Sequence, residues 1–214
     1  MNDFIHFIKK PKYSESCKKI NWKIFFLLLF VLFLLSLALG PVTRILIYVC
    51  GFNNAVPTFI LPKKILLIIV LAPIVEELFF RLLLIFKKRN LYIYLLCCTL
   101  LGIWYSINGS DTKLVLIVAI AIACIIAITY YDQCKLAIVK RYGFFFYFIA
   151  VVFGLVHISN FDGITFHNFI FTPFIVLPQL MMGVIFGYIR VTYGIAYSIL
   201  FHAMVNIPFV LSLL

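Results

Sequence analysis

ILLIIVLAPIVEELFFRLLLIF, residues 65–86, is an apolar run with two adjacent carboxylates and an arginine in its interior. About 20 predominantly apolar residues span a bilayer core as a helix, so the run has the length of a transmembrane segment. A charge at the centre of such a helix costs roughly 2.5–3.5 kcal/mol on insertion scales, and Glu76, Glu77 and Arg81 therefore need partners or a watery cavity. Glu77 and Arg81 are four residues apart, which puts them on one helix face a turn apart, in position for an ion pair. Glu76 points about 100° away and is left for another partner. Pro73, three residues before Glu76, removes a backbone donor and bends the helix where the carboxylates begin.

The rest of the chain has the same character. Of 214 residues, 65% are hydrophobic and 12% charged, against roughly 45–50% and 25% in a soluble domain. Further apolar runs cover 24–40, 91–107, 114–131, 143–158, 169–189 and 195–214, with the first helix free to extend to residue 50. These proportions exclude a secreted enzyme, a nucleic-acid module and a single-anchor receptor. The expected fold is all-α: a polytopic transmembrane helical bundle of about seven helices, six to eight. Residues 1–23 form a basic cytoplasmic head and 24–214 the bundle. The segment 51–62, with Asn53, Asn54, Pro57 and Pro62, reads as a loop or interfacial turn. Ala38-Leu39-Gly40 looks like a signal-peptide cleavage site, but Pro41 would follow the scissile bond and apolar residues resume over 45–50, so an uncleaved first span is expected. No internal repeat supports an inverted-repeat transporter.

The net charge of +11 comes from short clusters of Lys and Arg between the runs, and these read as topology signals rather than as a nucleic-acid surface. With an inside N-terminus, thirteen basic residues are cytoplasmic: the lysines at 9, 10, 12, 18, 19 and 23, then Lys87, Lys88, Arg89, Lys135, Lys140, Arg141 and Arg190. Four, Arg44, Lys63, Lys64 and Lys113, fall outside. The six cysteines have no metal-finger spacing and no disulfide framework is expected.

Two of the four histidines, His157 and His202, lie in apolar runs, and Asn206 follows His202 by one turn on the same face. Counted from the cytoplasmic ends, Glu76, His202 and His157 lie roughly 15, 18 and 24 Å deep, close enough to converge near midmembrane. A carboxylate with two neutral imidazoles suits a divalent metal, zinc above all, with one coordination position open for water. A metal-free scheme is also open, in which Glu76 and His157 activate water while His202 and Asn206 stabilise an oxyanion. Asp162 and His167 read as solvated loop residues. Gly183 and Gly187 read as a site of close helix packing. Pro173 and Pro178 make their helix irregular, as a lateral gate would require.

Taken in order, Glu76-Glu77-Leu78-Phe79-Phe80-Arg81, Phe153 to His157 and His202 to Asn206 match EExxxR, FxxxH and HxxxN. Over residues 65–208 the chain thereby resembles the family of CAAX prenyl proteases and bacteriocin-processing enzymes, also called abortive-infection proteins. The resemblance implies an intramembrane endopeptidase with a conical cavity. It makes Glu76 the base that activates water, Glu77 and Arg81 its supports, and His157, His202 and Asn206, with Glu76, the group that binds the metal or the oxyanion. Its substrate would be a membrane-associated peptide or protein, prenylated or not, and the short chain points to a bacterial plasma membrane. The alternatives are a non-catalytic membrane scaffold or bacteriocin-immunity protein and, behind those, an ion or proton translocator. The basic-residue bias predicts a cytoplasmic N-terminus and an external C-terminus. Reporter fusions at the two ends check it: a cytoplasmic signal from the C-terminal fusion would overturn either the orientation or the odd number of spans.

Overall fold

The computed structural model describes residues 2–54 and 65–211. Nearly all of them are helical. Helix α1 (Asn2–Lys9) is short and amphipathic, and α2 (Trp22–Val49) is a 28-residue span that continues through Pro41. A π-helical turn, Leu67–Leu71, leads into α3 (Ala72–Phe80), and a 3-10 turn, Leu82–Leu84, follows it. An antiparallel hairpin comes next, α4 (Lys88–Ile107) and α5 (Asp111–Thr129). Helices α6 (Tyr131–Lys140) and α7 (Tyr142–Val156) follow, the latter ending in a 3-10 turn, His157–Asn160. The short α8 (Thr172–Ile175), then α9 (Leu177–Tyr193) and α10 (Ile195–Leu211) complete the chain.

All seven apolar runs contain helix, but they are not seven equal spans. Among the described residues four helices are long and apolar enough to cross a membrane, or five if the bent pair Phe169–Ile175 and Leu177–Tyr193, inclined at 48°, counts as one. The prolines explain the irregularity. Pro173 and Pro178 each occupy the first turn of a new helix, where a missing N–H costs nothing. Pro73 does the same at α3, so the run 65–86 is a π turn, a nine-residue helix and a 3-10 turn instead of one straight span. The last run is helical for 17 residues. Of the expected loop at 51–62, residues 55–62 lie outside the described residues, as do Lys63 and Lys64. The six cysteines are free thiols.

Packing follows from which face of each helix is shared. On α2, Phe25, Leu28 and Leu32 are buried while Phe26, Phe30, Leu37 and Ile45 face outward as lipid-facing residues do. The buried stripe joins Phe153 of α7, Phe186 and Ile189 of α9 and Phe201 of α10 in the principal core. A second core fills the α4–α5 hairpin and includes Leu91, Tyr94, Cys98, Ile117 and Cys124. Helices α7 and α9 approach closely because glycines remove side chains at the contact. A Cβ on Gly183 would lie 2.6 Å from Ala150 O, and one on Gly154 would lie 2.4 Å from Leu180 Cδ2. The expected reading of Gly183 and Gly187 as packing residues fits this contact.

The two ends of the bundle are tied differently. At one end the head, the 81–90 segment, α6 and the end of α9 meet: the Lys18 N–H donates to Thr192 O (2.7 Å) and Glu15 pairs with Lys87 (3.9 Å) and Lys135. The Lys135 ammonium holds the Glu15 carboxyl below its ordinary pKa, and burial pushes the Tyr13 phenol up to about 12. At the other end a two-residue ladder pairs β1 (Asn53–Asn54) with β2 (Phe161–Asp162). Asn168 Nδ2 donates there to Cys50 O (3.0 Å). The segments that carry the basic clusters therefore share one end, although Arg190 is not part of that surface. It is 5% exposed and bonded to backbone, which removes it from the count of topology signals.

Candidate active site

The short α3 brings both glutamates into the bundle, and the way it ends is what holds it there. A helix that stops inside a low-dielectric bundle leaves carbonyls that must find donors. Arg190 of α9 donates from Nε to Arg81 O and from Nη2 to Leu82 O, both at 3.1 Å. Asn90 Nδ2 donates to Leu82 O (3.2 Å) and Ile85 O (2.6 Å), and the Tyr142 hydroxyl to Leu84 O (3.0 Å). The hydroxyls of Tyr13 and Tyr131 both donate to Phe86 O. Side chains from the head, α4, α6, α7 and α9 thus anchor one short segment.

Glu77 and Arg81 form the expected i,i+4 pair, Oε1 to Nη1 at 3.2 Å, with both side chains fully buried. The Glu77 carboxylate also accepts from the Ser198 hydroxyl at Oε2 and from His202 Nδ1 at Oε1 (3.0 Å). Arg81 lies over the ring of Phe153, with Cζ 3.5 Å from its centroid, and Phe186 and Phe80 stand at 5.3 and 5.8 Å. Its guanidinium makes no hydrogen bond among the described residues, so the carboxylate and the aromatic faces are its compensation for lost water.

Glu76 points elsewhere, as the 100° rotation requires. Its side chain is 30% exposed, and Oε2 stands 3.8 Å from His202 Nε2 and 3.9 Å from His157 Nε2. His157 caps α7 and is 21% exposed; its Nδ1 is 2.8 Å from Phe153 O. A carbonyl only accepts, so Nδ1 of His157 carries the proton, and the Glu77 carboxylate requires the same of Nδ1 in His202. In the neutral rings each Nε2 is then an acceptor within 4 Å of Glu76 Oε2, which is itself buried without a hydrogen-bond partner among the described residues.

Three acceptors directed at one space call for a donor or a cation between them. Each carboxylate–imidazole separation is shorter than the about 4.2 Å that two metal–ligand bonds of about 2.1 Å can span, and the second nitrogen of each imidazole is held as in zinc sites. By residue type the set is one that a divalent cation takes, and a water could donate to two of the three acceptors. Among the described residues, however, no group of three or more His, Cys, Asp or Glu side chains is placed to hold a metal ion as it stands. Two cavities in the bundle lie elsewhere, one beneath the head and one along the α4–α5 hairpin, and neither is lined by Glu76, His157 or His202.

Asn206 is tied through Nδ2 to Ile68 O (3.0 Å), joining α10 to the π turn before α3. Ser198 was not among the residues singled out, although its spacing to His202 and Asn206 places all three on one face of α10. Phe153 has two tasks that its motif does not advertise: its carbonyl accepts from His157 and its ring carries Arg81. Asp162 lies in the ladder with Asn53.

The burial of Glu77 and Arg81 has a measurable consequence. Arg81→Leu should lower stability by about 3–5 kcal/mol by stranding a buried carboxylate, and Glu77→Leu combined with Arg81→Leu should recover part of that loss because both charges are gone. Thermal unfolding in detergent reads both. An unchanged midpoint for Arg81→Leu would mean that water reaches the pair.

Residues 134–208 match the family model described as Rce1-like, type II CAAX prenyl endopeptidase Rce1-like. No curated protein and no solved structure matches the chain. The matched segment includes His157, Ser198, His202 and Asn206, whereas Glu76, Glu77 and Arg81 precede it. The match supports, from the second half of the chain, the resemblance to the CAAX prenyl protease family carried by the three motifs.

Proposed function

We propose that this integral membrane protein is an intramembrane endopeptidase that hydrolyses a peptide bond of a membrane-associated peptide or protein, with Glu76 as the base. The observation that carries the reading is the unpartnered Oε2 of Glu76 between two imidazole nitrogens. A water there can donate one hydrogen to the carboxylate and the other to Nε2 of His157 or His202, and Glu76 takes its proton as the oxygen attacks the scissile carbonyl. The same proton then serves the leaving amine. Glu77 and Ser198 keep His202 oriented, and Arg81 keeps Glu77 ionised and in place. Asn206 holds α10 against the turn that opens toward α3 and offers its second Nδ2 hydrogen to the substrate carbonyl.

A divalent metal, zinc by its donor preference, would be held by Glu76, His157 and His202, with Asn206 Oδ1 as a further donor. Such an ion would polarise the bound water and the carbonyl. The family match makes a C-terminal CAAX-type peptide the first substrate to try. The bilayer orientation with the head in the cytoplasm belongs to the same proposal.

A non-catalytic scaffold is the second reading, because the buried network of Glu77, Arg81, Ser198 and His202 would hold the bundle together even without chemistry. Glu76→Gln separates the two. The amide preserves size but cannot accept the proton, so cleavage of a membrane peptide in liposomes should fall by about 10²–10⁴, while the folded fraction on size exclusion stays unchanged. His157→Ala and His202→Ala should lower any metal content found by elemental analysis. A wild-type rate from Glu76→Gln would overturn the mechanism.

A further inference from the structure

Helix α1 lies across the end of α9, with the rings of Phe4 and Phe7 edge-on to Tyr188 at 4.9 and 5.3 Å. The chain then runs back as a strap toward α2. The strap is pinned by the Tyr13 hydroxyl on Phe86 O (3.0 Å), by Glu15 against Lys87 and Lys135, and by the Lys18 N–H on Thr192 O (2.7 Å). Between α1, the strap and the end of α9 lies a cavity of about 320 Å³. Its floor is apolar, made by Phe7, Tyr188 and Val191.

The walls are cationic and hydroxylic. Lys10, Lys12 and Lys18 line them together with His6, Ser14 and Ser16. The one acid in the lining, Asp3, is already paired with Lys18 at 3.2 Å. Among the described residues neither Lys10 nor Lys12 has a carboxylate partner. Three lysines thus line one cavity with a single carboxylate among them, an arrangement that an anion stabilises. Trp22, 46% exposed in the first turn of α2 and 5.9 Å from the ring of Tyr197, marks the bilayer boundary at this end of the bundle.

We propose that this cavity binds the phosphate of an anionic phospholipid headgroup. The lysines and the Ser16 hydroxyl would donate to the phosphate oxygens, and the apolar floor would lie beneath the glycerol end of the lipid. A free phosphate offers the same oxygens, but it has no use for the floor or for a site at the level of interfacial aromatics. The site stands apart from Glu76 and does not depend on the chain being a protease.

Thermal unfolding of the purified full-length protein in neutral detergent tests the assignment, with short-chain phosphatidylglycerol, short-chain phosphatidylcholine or inorganic phosphate added. Phosphatidylglycerol should raise the midpoint above that seen with phosphatidylcholine. K10Q/K12Q should need about thirtyfold more of it for the same shift, the loss of two lysine contacts at a membrane surface. K88Q/R89Q, which removes two exposed charges at the same end but outside the cavity, should respond as the wild type does. No preference for phosphatidylglycerol, an equal loss in K88Q/R89Q, or an equal shift with inorganic phosphate would each overturn the proposal.

Discussion

Burying the Glu77–Arg81 pair is the constraint on which the arrangement of the site depends. Two full charges with no exposed surface are tolerable in a membrane bundle only if each is compensated for lost water by a partner. The carboxylate uses Arg81, Ser198 and His202; the guanidinium uses the carboxylate and the face of Phe153. Those requirements bring α3, α7, α9 and α10 together at one point. They also determine what His202 can do, since its Nδ1 is committed to Glu77 and only Nε2 is left to face Glu76.

Placing such a pair on a short helix creates a second requirement. Because α3 ends after Phe80, a series of carbonyls is released inside the bundle, and Arg190, Asn90, Tyr142, Tyr131 and Tyr13 supply their donors. The head therefore reaches α3 through the backbone it helps to satisfy. At the opposite end of the same segment Asn206 bonds Ile68 O, so the helix that bears the glutamates is tied on both sides to elements that bear the rest of the site.

Much of this could be read from the residues. The adjacent glutamates in an apolar run, the four-residue spacing to Arg81 and the two histidines in apolar runs were enough to anticipate the pair and the convergence of Glu76, His157 and His202. The interrupted helices were less legible. Pro73, Pro173 and Pro178 signal a bend, but whether a membrane-helix proline kinks a span or begins a new one depends on which neighbours can satisfy the released backbone groups. Arg190 shows the limit most clearly: in a loop count it looks like a cytoplasmic charge, and only its distances to Arg81 O and Leu82 O reveal a buried helix cap. Ser198, and the role of the Phe153 ring beneath Arg81, escaped for a similar reason, since each serves a partner far away in sequence.

The central claim is that both imidazoles are held through Nδ1 and turn unprotonated Nε2 atoms toward Glu76. Nitrogen-15 NMR of histidine-labelled protein at neutral pH, in a variant with His6 and His167 replaced by Gln, measures this directly. The account predicts that His157 and His202 each show a protonated Nδ1 and an unprotonated Nε2, whether the space between them holds a water or a metal. Protons on Nε2 with bare Nδ1 atoms in both rings would contradict it.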